Sequence, residues 1–183
     1  KLIGRRLAGC VLWRYAVFSS LPTSGLTDWP SMTPRPTPTP VDLSGQVAVV
    51  TGAAQGLGLA MATELATGGG RVVLADVQLA KAEAAAADLV AQGLEARSVG
   101  LDVTDSKAVE RVFSAVVEKE GRFDILVNNA GVGQRLDRIS DLPDAEWDRV
   151  LAATLTGSFY CGRAAAAIME QQESGAIVNI SSI

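Results

Sequence analysis

A glycine-rich turn is the first feature of the sequence that could do chemistry. Gly52, Gly56 and Gly58 stand in the run Thr-Gly-Ala-Ala-Gln-Gly-Leu-Gly, between a Val-rich segment and a stretch with helical spacing. Backbone without side chains can approach a pyrophosphate closely, and the N-terminus of the following helix offers it N–H groups and a positive dipole end. We expect Gly52 to permit the tight turn, Gly56 to allow this approach and Gly58 to let the helix pack closely. An ordinary strand-to-helix turn is the alternative. A triphosphate-binding loop is disfavoured because no Lys-Ser/Thr follows the glycines.

An acidic residue follows the turn at a distance that suits a nucleotide. Asp76 closes the second apolar segment, 18 residues after Gly58. An acid at about this distance can accept hydrogen bonds from an adenosine ribose and repels a 2′-phosphate. No Arg or Lys in the turn could attract that phosphate. The sequence therefore predicts a dinucleotide site that prefers NAD to NADP. Taken alone, Asp76 could equally be a surface aspartate at the end of a strand.

Alternating strands and helices must position these residues. Predicted strands cover residues 46–51, 71–76, 96–102, 124–128 and 176–180, and predicted helices cover 57–67, 78–92, 105–120 and 144–171. Strict alternation with helical connections predicts a parallel sheet with right-handed crossovers. Because ligands of such sheets bind beyond the carboxyl ends of the strands, we expect the glycine turn and Asp76 to meet there.

Composition excludes several kinds of site. The 183 residues are 48% hydrophobic and 20% charged, which is typical of a globular domain. The chain has no His and only two Cys residues, Cys10 and Cys161, so we predict no imidazole base and no metal site within it. The formal net charge of −4 argues against a nucleic-acid partner.

Residues 1–40 differ from the rest of the chain. They contain six of the seven prolines and carry a net charge of +4, whereas residues 41–183 carry a net charge of −8. We predict a disordered, basic, Pro/Thr-rich extension at 1–40, followed by a nucleotide-binding domain at 41–183. The apolar run at 7–18 is shorter than the roughly 20 residues of a membrane span, so we expect no membrane segment and a cytoplasmic protein. A signal peptide or a lipoprotein-like cleavage site before Cys10 remains an alternative.

Five ordered motifs over about residues 43–183 resemble those of the short-chain dehydrogenase/reductase family. These are the glycine turn, Asp102-Val103, Asn128-Asn129-Ala130-Gly131, Trp147 with the residues that follow it, and the segment 175–182. The resemblance implies a Rossmann-like, doubly wound α/β fold with strand order 3-2-1-4-5, continuing to strands 6 and 7 in full-length members. The cofactor contacts that it implies are Gly52, Ala54, Gln55, Gly56, Leu57, Gly58, Asp76, Asp102, Val103, Asn129, Ala130 and Gly131.

The resemblance also implies a mechanism. Members of the family transfer a hydride between nicotinamide and an alcohol or carbonyl carbon, with the cofactor carrying the redox chemistry. Ser182 matches the serine that holds the substrate oxygen. Thr154 occupies the position of the asparagine that completes a proton relay, and its spacing from Trp147 predicts an inward-facing side chain. We expect slower or specialised turnover, because a threonine cannot copy the amide.

The family's Tyr-x-x-x-Lys pair does not occur in these residues. Neither Tyr15 nor Tyr160 has Lys four positions later, and no Lys follows Lys119. We therefore expect an N-terminal fragment of a dehydrogenase that is inactive alone, acts on an alcohol or ketone when full length, and forms a homodimer or homotetramer. A non-catalytic dinucleotide-binding module is the alternative. A nucleotide-sugar epimerase is disfavoured by the glycine spacing.

Overall fold

The computed structural model describes residues 41–133 and 138–181. The strands are β1 (Val47–Thr51), β2 (Arg71–Asp76), β3 (Ala96–Gly100), β4 (Ile125–Asn128) and β5 (Ala176–Asn179). The helices are α1 (Gly56–Thr67), α2 (Leu79–Ala91), α3 (Ser106–Glu120), α4 (Asp144–Leu151) and α5 (Gly157–Gln172). A short 3-10 turn (Ile139–Asp141) precedes α4, and a π-helical segment (Ala152–Thr156) joins α4 to α5. The extension predicted at 1–40 lies outside the described residues, so the boundary predicted at residue 41 stays a prediction.

All five strands are parallel, in the order β3-β2-β1-β4-β5. This confirms the predicted doubly wound α/β fold with strand order 3-2-1-4-5. β1 and β2 are interior strands of the sheet. Their sequences are continuous apolar runs because helices cover both of their faces. No helix within 41–133 and 138–181 is long and apolar enough to cross a membrane.

Two apolar layers hold the helices against the sheet. On one face, small side chains of α1 and α2, including Ala62 and Ala82, bring these helices close to β1 and β2. On the other face, α3 buries Phe113, whose ring centroid lies 4.8 Å from that of Phe123. Asp105 caps α3 by accepting hydrogen bonds from the amides of residues 107 and 108. The layers fix the carboxyl ends of the strands, where the candidate site lies.

Buried Asp124 locks the opposite, amino-terminal edge of the sheet. Its carboxylate accepts a hydrogen bond from the Val47 amide at 2.8 Å and two from the Arg122 guanidinium at 2.6 Å each. Burial raises the pKa of the Asp124 carboxyl, but these hydrogen bonds and the charges of Arg122 and Arg71 outweigh burial and lower it. The charged carboxylate therefore ties the start of β1 to the start of β4.

The long helix predicted for 144–171 is interrupted. The inward-facing side chain predicted for Thr154 from its spacing to Trp147 is wrong. The π-helical segment divides the helix, and Trp147 is 54% exposed. The buried positions are instead Ala153, Gly157, Cys161, Ala165 and Met169. A π turn holds more residues than an α turn, so it rotates the residues that follow it relative to the pattern before it. Trp147 is exposed before this segment begins, and Thr154 within the segment is exposed as well.

Gly157 explains how close α5 comes to the sheet. A Cβ atom at this position would lie 2.7 Å from Cγ2 of Val103, too close for two carbon atoms. Val103 follows β3 and is itself buried. The missing side chain therefore lets the helix pack directly on the segment after β3, which contains two of the cofactor contacts that the family resemblance implies.

Candidate functional site

A cleft of about 660 Å³ opens at the carboxyl edge of the sheet. Its walls come from the turn after β1, the ends of β2 and β3, the loop after β4 and the π-helical segment. The predicted cofactor residues that line it are Gly52, Gln55, Gly56, Leu57, Gly58, Asp76, Asp102, Val103, Asn129, Ala130 and Gly131. Ala54 does not line the cleft, because it is buried and its amide faces Asp76. The volume falls within the range of small-molecule and cofactor pockets.

The glycine turn presents bare backbone to this cleft. Gly52 and Gly56 have φ angles of +65° and +60°, which glycine adopts without strain. A Cβ atom on Gly56 would have nothing within 4 Å, so this stretch of main chain borders open space. A Cβ atom on Gly58 would collide with the carbonyl of Gly52 and lie 2.5 Å from Nδ2 of Asn129. The turn therefore accepts a ligand against its backbone and excludes side chains where it packs.

The first backbone amides of α1 also border the cleft. Gln55, which precedes the helix, has extended φ and ψ angles and makes no capping hydrogen bond through its side chain. The first N–H groups of a helix have no partner within it, and here they lie at the wall of the cleft. They are available to an anionic group such as a phosphate.

Thr51 connects the glycine turn to the loop after β4. Its hydroxyl donates to the carbonyl of Val127 at 3.3 Å and accepts hydrogen bonds from the amides of Asn129 and Ala130 at 3.0 Å each. The Asn129 side chain donates to the carbonyls of Thr51 and Gly52. One hydroxyl thus uses its whole hydrogen-bonding capacity to hold two walls of the cleft together. From its sequence alone, Thr51 is recognisable only as the start of the turn.

Asp76 is held rigidly at one end of the cleft. Its Oδ2 accepts a hydrogen bond from the Ala54 amide at 3.0 Å, and its Oδ1 accepts one from the Gln78 amide at 2.8 Å. The residue is 6% exposed and still lines the cleft. Each carboxylate oxygen keeps a second lone pair, which could accept a hydrogen bond from a ribose hydroxyl.

A cation that sequence reasoning missed lies beside the same end. Nζ of exposed Lys81, on α2, is 3.5 Å from Oε1 of Gln55. An exposed lysine in an alanine-rich helix carries no signal of its own. Only the packing of α2 against the sheet brings it next to the turn.

Two of the predicted cofactor residues, Asp102 and Val103, lie along the other walls of the cleft, together with Arg149, which was not predicted. Asp102 accepts hydrogen bonds at Oδ1 from the amide and hydroxyl of Thr104, and Val103 forms part of the buried wall beside it. Arg149 lines the cleft and donates to the carbonyl of Gly133 at 2.8 Å, which ties the loop after β4 to α4. Hydrogen bonds with Glu146 raise the pKa of Arg149, so the guanidinium that contacts Gly133 stays charged.

Of the two predicted catalytic residues, the structure describes Thr154 and not Ser182. Ser182 lies outside the described residues. Thr154 is described, but its hydroxyl donates to the Val150 carbonyl at 2.6 Å and its own carbonyl accepts a hydrogen bond from the Ser158 hydroxyl at 2.7 Å. A Cβ atom on Gly131 would lie 3.3 Å from the Thr154 methyl group. Thr154 therefore turns carbon, not oxygen, toward this part of the cleft wall.

Buried Cys161 is unsuited to nucleophilic chemistry. It is fully buried in α5, and burial raises the pKa of its thiol to about 12. The thiolate, which is the reactive form, is therefore negligible at neutral pH.

Comparison with known proteins agrees with this geometry. Residues 46–183 match the family model described as short chain dehydrogenase. The chain is 42% identical over 140 residues to D-threitol dehydrogenase from Mycolicibacterium smegmatis, covering 76% of this chain and 54% of that protein. The chain thus spans about half the length of the curated relatives it matches.

Solved structures give the same result. An NAD⁺-bound xylitol dehydrogenase superposes with a TM-score of 0.74 at 38% identity, covering 76% of this chain and 54% of that one. A metagenomic short-chain oxidoreductase in complex with NADP superposes with a TM-score of 0.74 at 42% identity, covering 78% of this chain and 64% of that one. On its fold, its motifs and these matches, the chain belongs to the short-chain dehydrogenase family.

Proposed function

We propose that this chain forms the dinucleotide-binding part of an NAD(P)-dependent oxidoreductase that interconverts an alcohol and a carbonyl compound. The observation that carries the proposal is the cleft at the carboxyl edge of the sheet, which joins the glycine turn, Asp76 and the loop after β4. The names of D-threitol dehydrogenase and xylitol dehydrogenase support a small hydroxylated substrate.

The residues present fit such a cofactor. Bare backbone at Gly56 and the first amides of α1 suit the pyrophosphate, and the free lone pairs of Asp76 suit the adenosine ribose. Asp102 and Val103 provide a polar and an apolar group for the adenine. A nicotinamide cofactor would supply the hydride donor or acceptor, and the chain would hold and orient it.

Asp76 supports NAD as the preferred cofactor, because its carboxylate would repel a 2′-phosphate. The solved relatives named above are complexes with NAD⁺ and with NADP, so they do not separate the two cofactors.

Ser182 is proposed to hold the substrate oxygen, on the resemblance alone. Since the Thr154 hydroxyl donates its proton to the Val150 carbonyl, we propose that it does not donate a hydrogen bond to a relay water and that the position acts mainly through packing against the cleft. The same observation favours the second candidate function, a non-catalytic dinucleotide-binding module, which would use the same cleft.

Assembly into a homodimer or homotetramer is a further proposal. Large apolar side chains remain exposed on α4, the π-helical segment and α5, namely Trp147, Leu155 and Phe159. Such a row suits a protein–protein contact. A cytoplasmic location stays a prediction.

Titration of the chain with NADH, followed by nicotinamide fluorescence, tests the proposal. We expect saturable binding that NAD⁺ displaces. Asp76→Asn should weaken NADH binding about ten-fold, because a charged hydrogen-bond acceptor is lost. Asp88→Asn, at an exposed acid on α2, is the matched control and should leave binding unchanged. Absence of binding by both NADH and NADPH would refute the proposed function.

A further inference from the structure

Lys81 changes the charge at the end of the cleft where Asp76 lies. The sequence disfavours NADP on two grounds: Asp76 repels a 2′-phosphate, and the glycine turn holds no cation. The structure removes the second ground. Nζ of Lys81 lies 3.5 Å from Oε1 of Gln55, so a cation from α2 stands beside the turn although the turn's own sequence has none.

The hydrogen bonds of Asp76 place it at the same end as this cation. Its Oδ2 accepts from the amide of Ala54, the residue before Gln55, and its Oδ1 accepts from the amide of Gln78, one turn before Lys81. Asp76, Gln55 and Gln78 all line the cleft. A ribose held by Asp76 would therefore have its 2′ position near Gln55, whose side-chain oxygen contacts the Lys81 ammonium.

The two charges differ in what they can do for a phosphate. The Asp76 carboxylate is buried and already accepts two amide hydrogen bonds, which stabilise its charge where it lies. The Lys81 ammonium is exposed, sits on a flexible four-carbon stem, and has three donors. The ammonium can therefore turn toward a phosphate and offset part of the repulsion from the fixed carboxylate.

We propose that Lys81 is a specificity-determining residue that binds the 2′-phosphate of NADP, so that the cleft accepts NADP as well as NAD and prefers NAD less strongly than Asp76 alone would make it. The inference rests on the proposed function, because it needs an adenosine bound at Asp76. Within residues 41–133 and 138–181, Gln55 accepts the hydrogen bond of the Lys81 ammonium, so without a 2′-phosphate we expect Lys81 to contribute little to NAD binding.

Adenosine probes that differ only in the 2′-phosphate test this. The chain is titrated by calorimetry with 5′-AMP and with adenosine 2′,5′-bisphosphate. We expect Lys81→Gln to weaken the bisphosphate about five-fold, as for an exposed charge pair with a dianion, and to change 5′-AMP binding less than about two-fold. Lys81→Glu should weaken the bisphosphate further. Raising the salt from about 0.02 M to about 0.3 M should shrink the difference between wild type and Lys81→Gln.

A matched variant controls for the change in net charge. Lys119→Gln removes an exposed lysine from the last turn of α3 and should leave the binding of both probes unchanged. Circular dichroism checks that each variant is folded. If 5′-AMP binds but Lys81→Gln leaves the bisphosphate affinity unchanged, or weakens both probes equally, the inference is wrong and the proposed function stands. If neither 5′-AMP nor NADH binds to the wild type, the proposed function fails and the inference fails with it.

Discussion

Replacing Thr51 by Val removes a hydroxyl while nearly preserving the shape of a side chain that is 1% exposed. Three hydrogen bonds disappear: the one donated to the Val127 carbonyl and those accepted from the amides of Asn129 and Ala130. No other hydrogen-bond acceptor is found for either amide within the described residues. Both amides therefore lose their acceptor inside the folded chain.

The expected loss in the free energy of unfolding follows from the two amides that lose their acceptor. A buried donor left without a partner costs about 1–3 kcal/mol. Because Asn129 and Ala130 are only partly buried, we take about 1 kcal/mol for each and expect Thr51→Val to lower the free energy of unfolding by about 2–3 kcal/mol. That is a large share of the roughly 5–15 kcal/mol that holds a typical domain together, and it should lower the urea midpoint by about 1 M. Cofactor affinity should fall as well, since two walls of the cleft lose their link.

Urea unfolding followed by far-UV circular dichroism measures the change. Thr51→Ser keeps the hydroxyl and loses one methyl group, so it should cost no more than about 1 kcal/mol. Thr67→Val, at an exposed position where the hydroxyl donates only to a carbonyl of its own helix, should stay within about 0.5 kcal/mol of wild type. The reasoning is refuted if Thr51→Val and Thr67→Val are equally stable, or if Thr51→Ser is as damaging as Thr51→Val.

Three further predictions address other parts of the chain. Gly58→Ala should abolish NADH binding and lower the free energy of unfolding by about 1–3 kcal/mol, because its Cβ collides with the preceding turn; thermal unfolding with NADH titration checks both. Asp124→Ala should cost about 1–3 kcal/mol at about pH 6 by leaving the buried Val47 amide unpaired. The pKa of Asp124 is lowered by folding, so this difference in urea stability from wild type should shrink as the pH falls through the folded pKa, and a constant difference would contradict the assignment. In a Cys10→Ser background, Cys161 should not react with a thiol reagent at about pH 8 until the chain is unfolded, since burial raises its pKa to about 12; rapid reaction of the folded chain would show otherwise.

Local sequence patterns were sufficient to predict the strands of the sheet and most of the residues that line the cleft. The runs of β1 and β2 are apolar without alternation because both faces are covered, and this pattern marks a central parallel strand. Strand order then followed from the family resemblance and from β/α alternation. Gly52 and Gly58 could be assigned because glycine has few other reasons to occupy such a turn, and Asp76 could be assigned from its place at the end of β2.

Features that depend on packing between distant elements could not be predicted. The inward position expected for Thr154 was counted from Trp147, but Trp147 is itself exposed, and a constant helical spacing also fails across the π-helical segment before α5. Ala54 belongs to the turn but points away from the cleft, because its amide is used by Asp76. The position of Lys81 beside Gln55 depends on where α2 sits on the sheet, which no local pattern encodes.

The π-helical segment Ala152–Thr156 also bears on how this chain should be aligned with others. Each residue of an α-helix advances the chain by about 100°, so accommodating one extra residue in a wide turn shifts every later residue by that angle. A homologue whose helix runs uninterrupted through this stretch should therefore align with a single-residue gap here. In such a homologue, each side chain beyond this point would face a direction about 100° away from that of the residue at the same count in this chain.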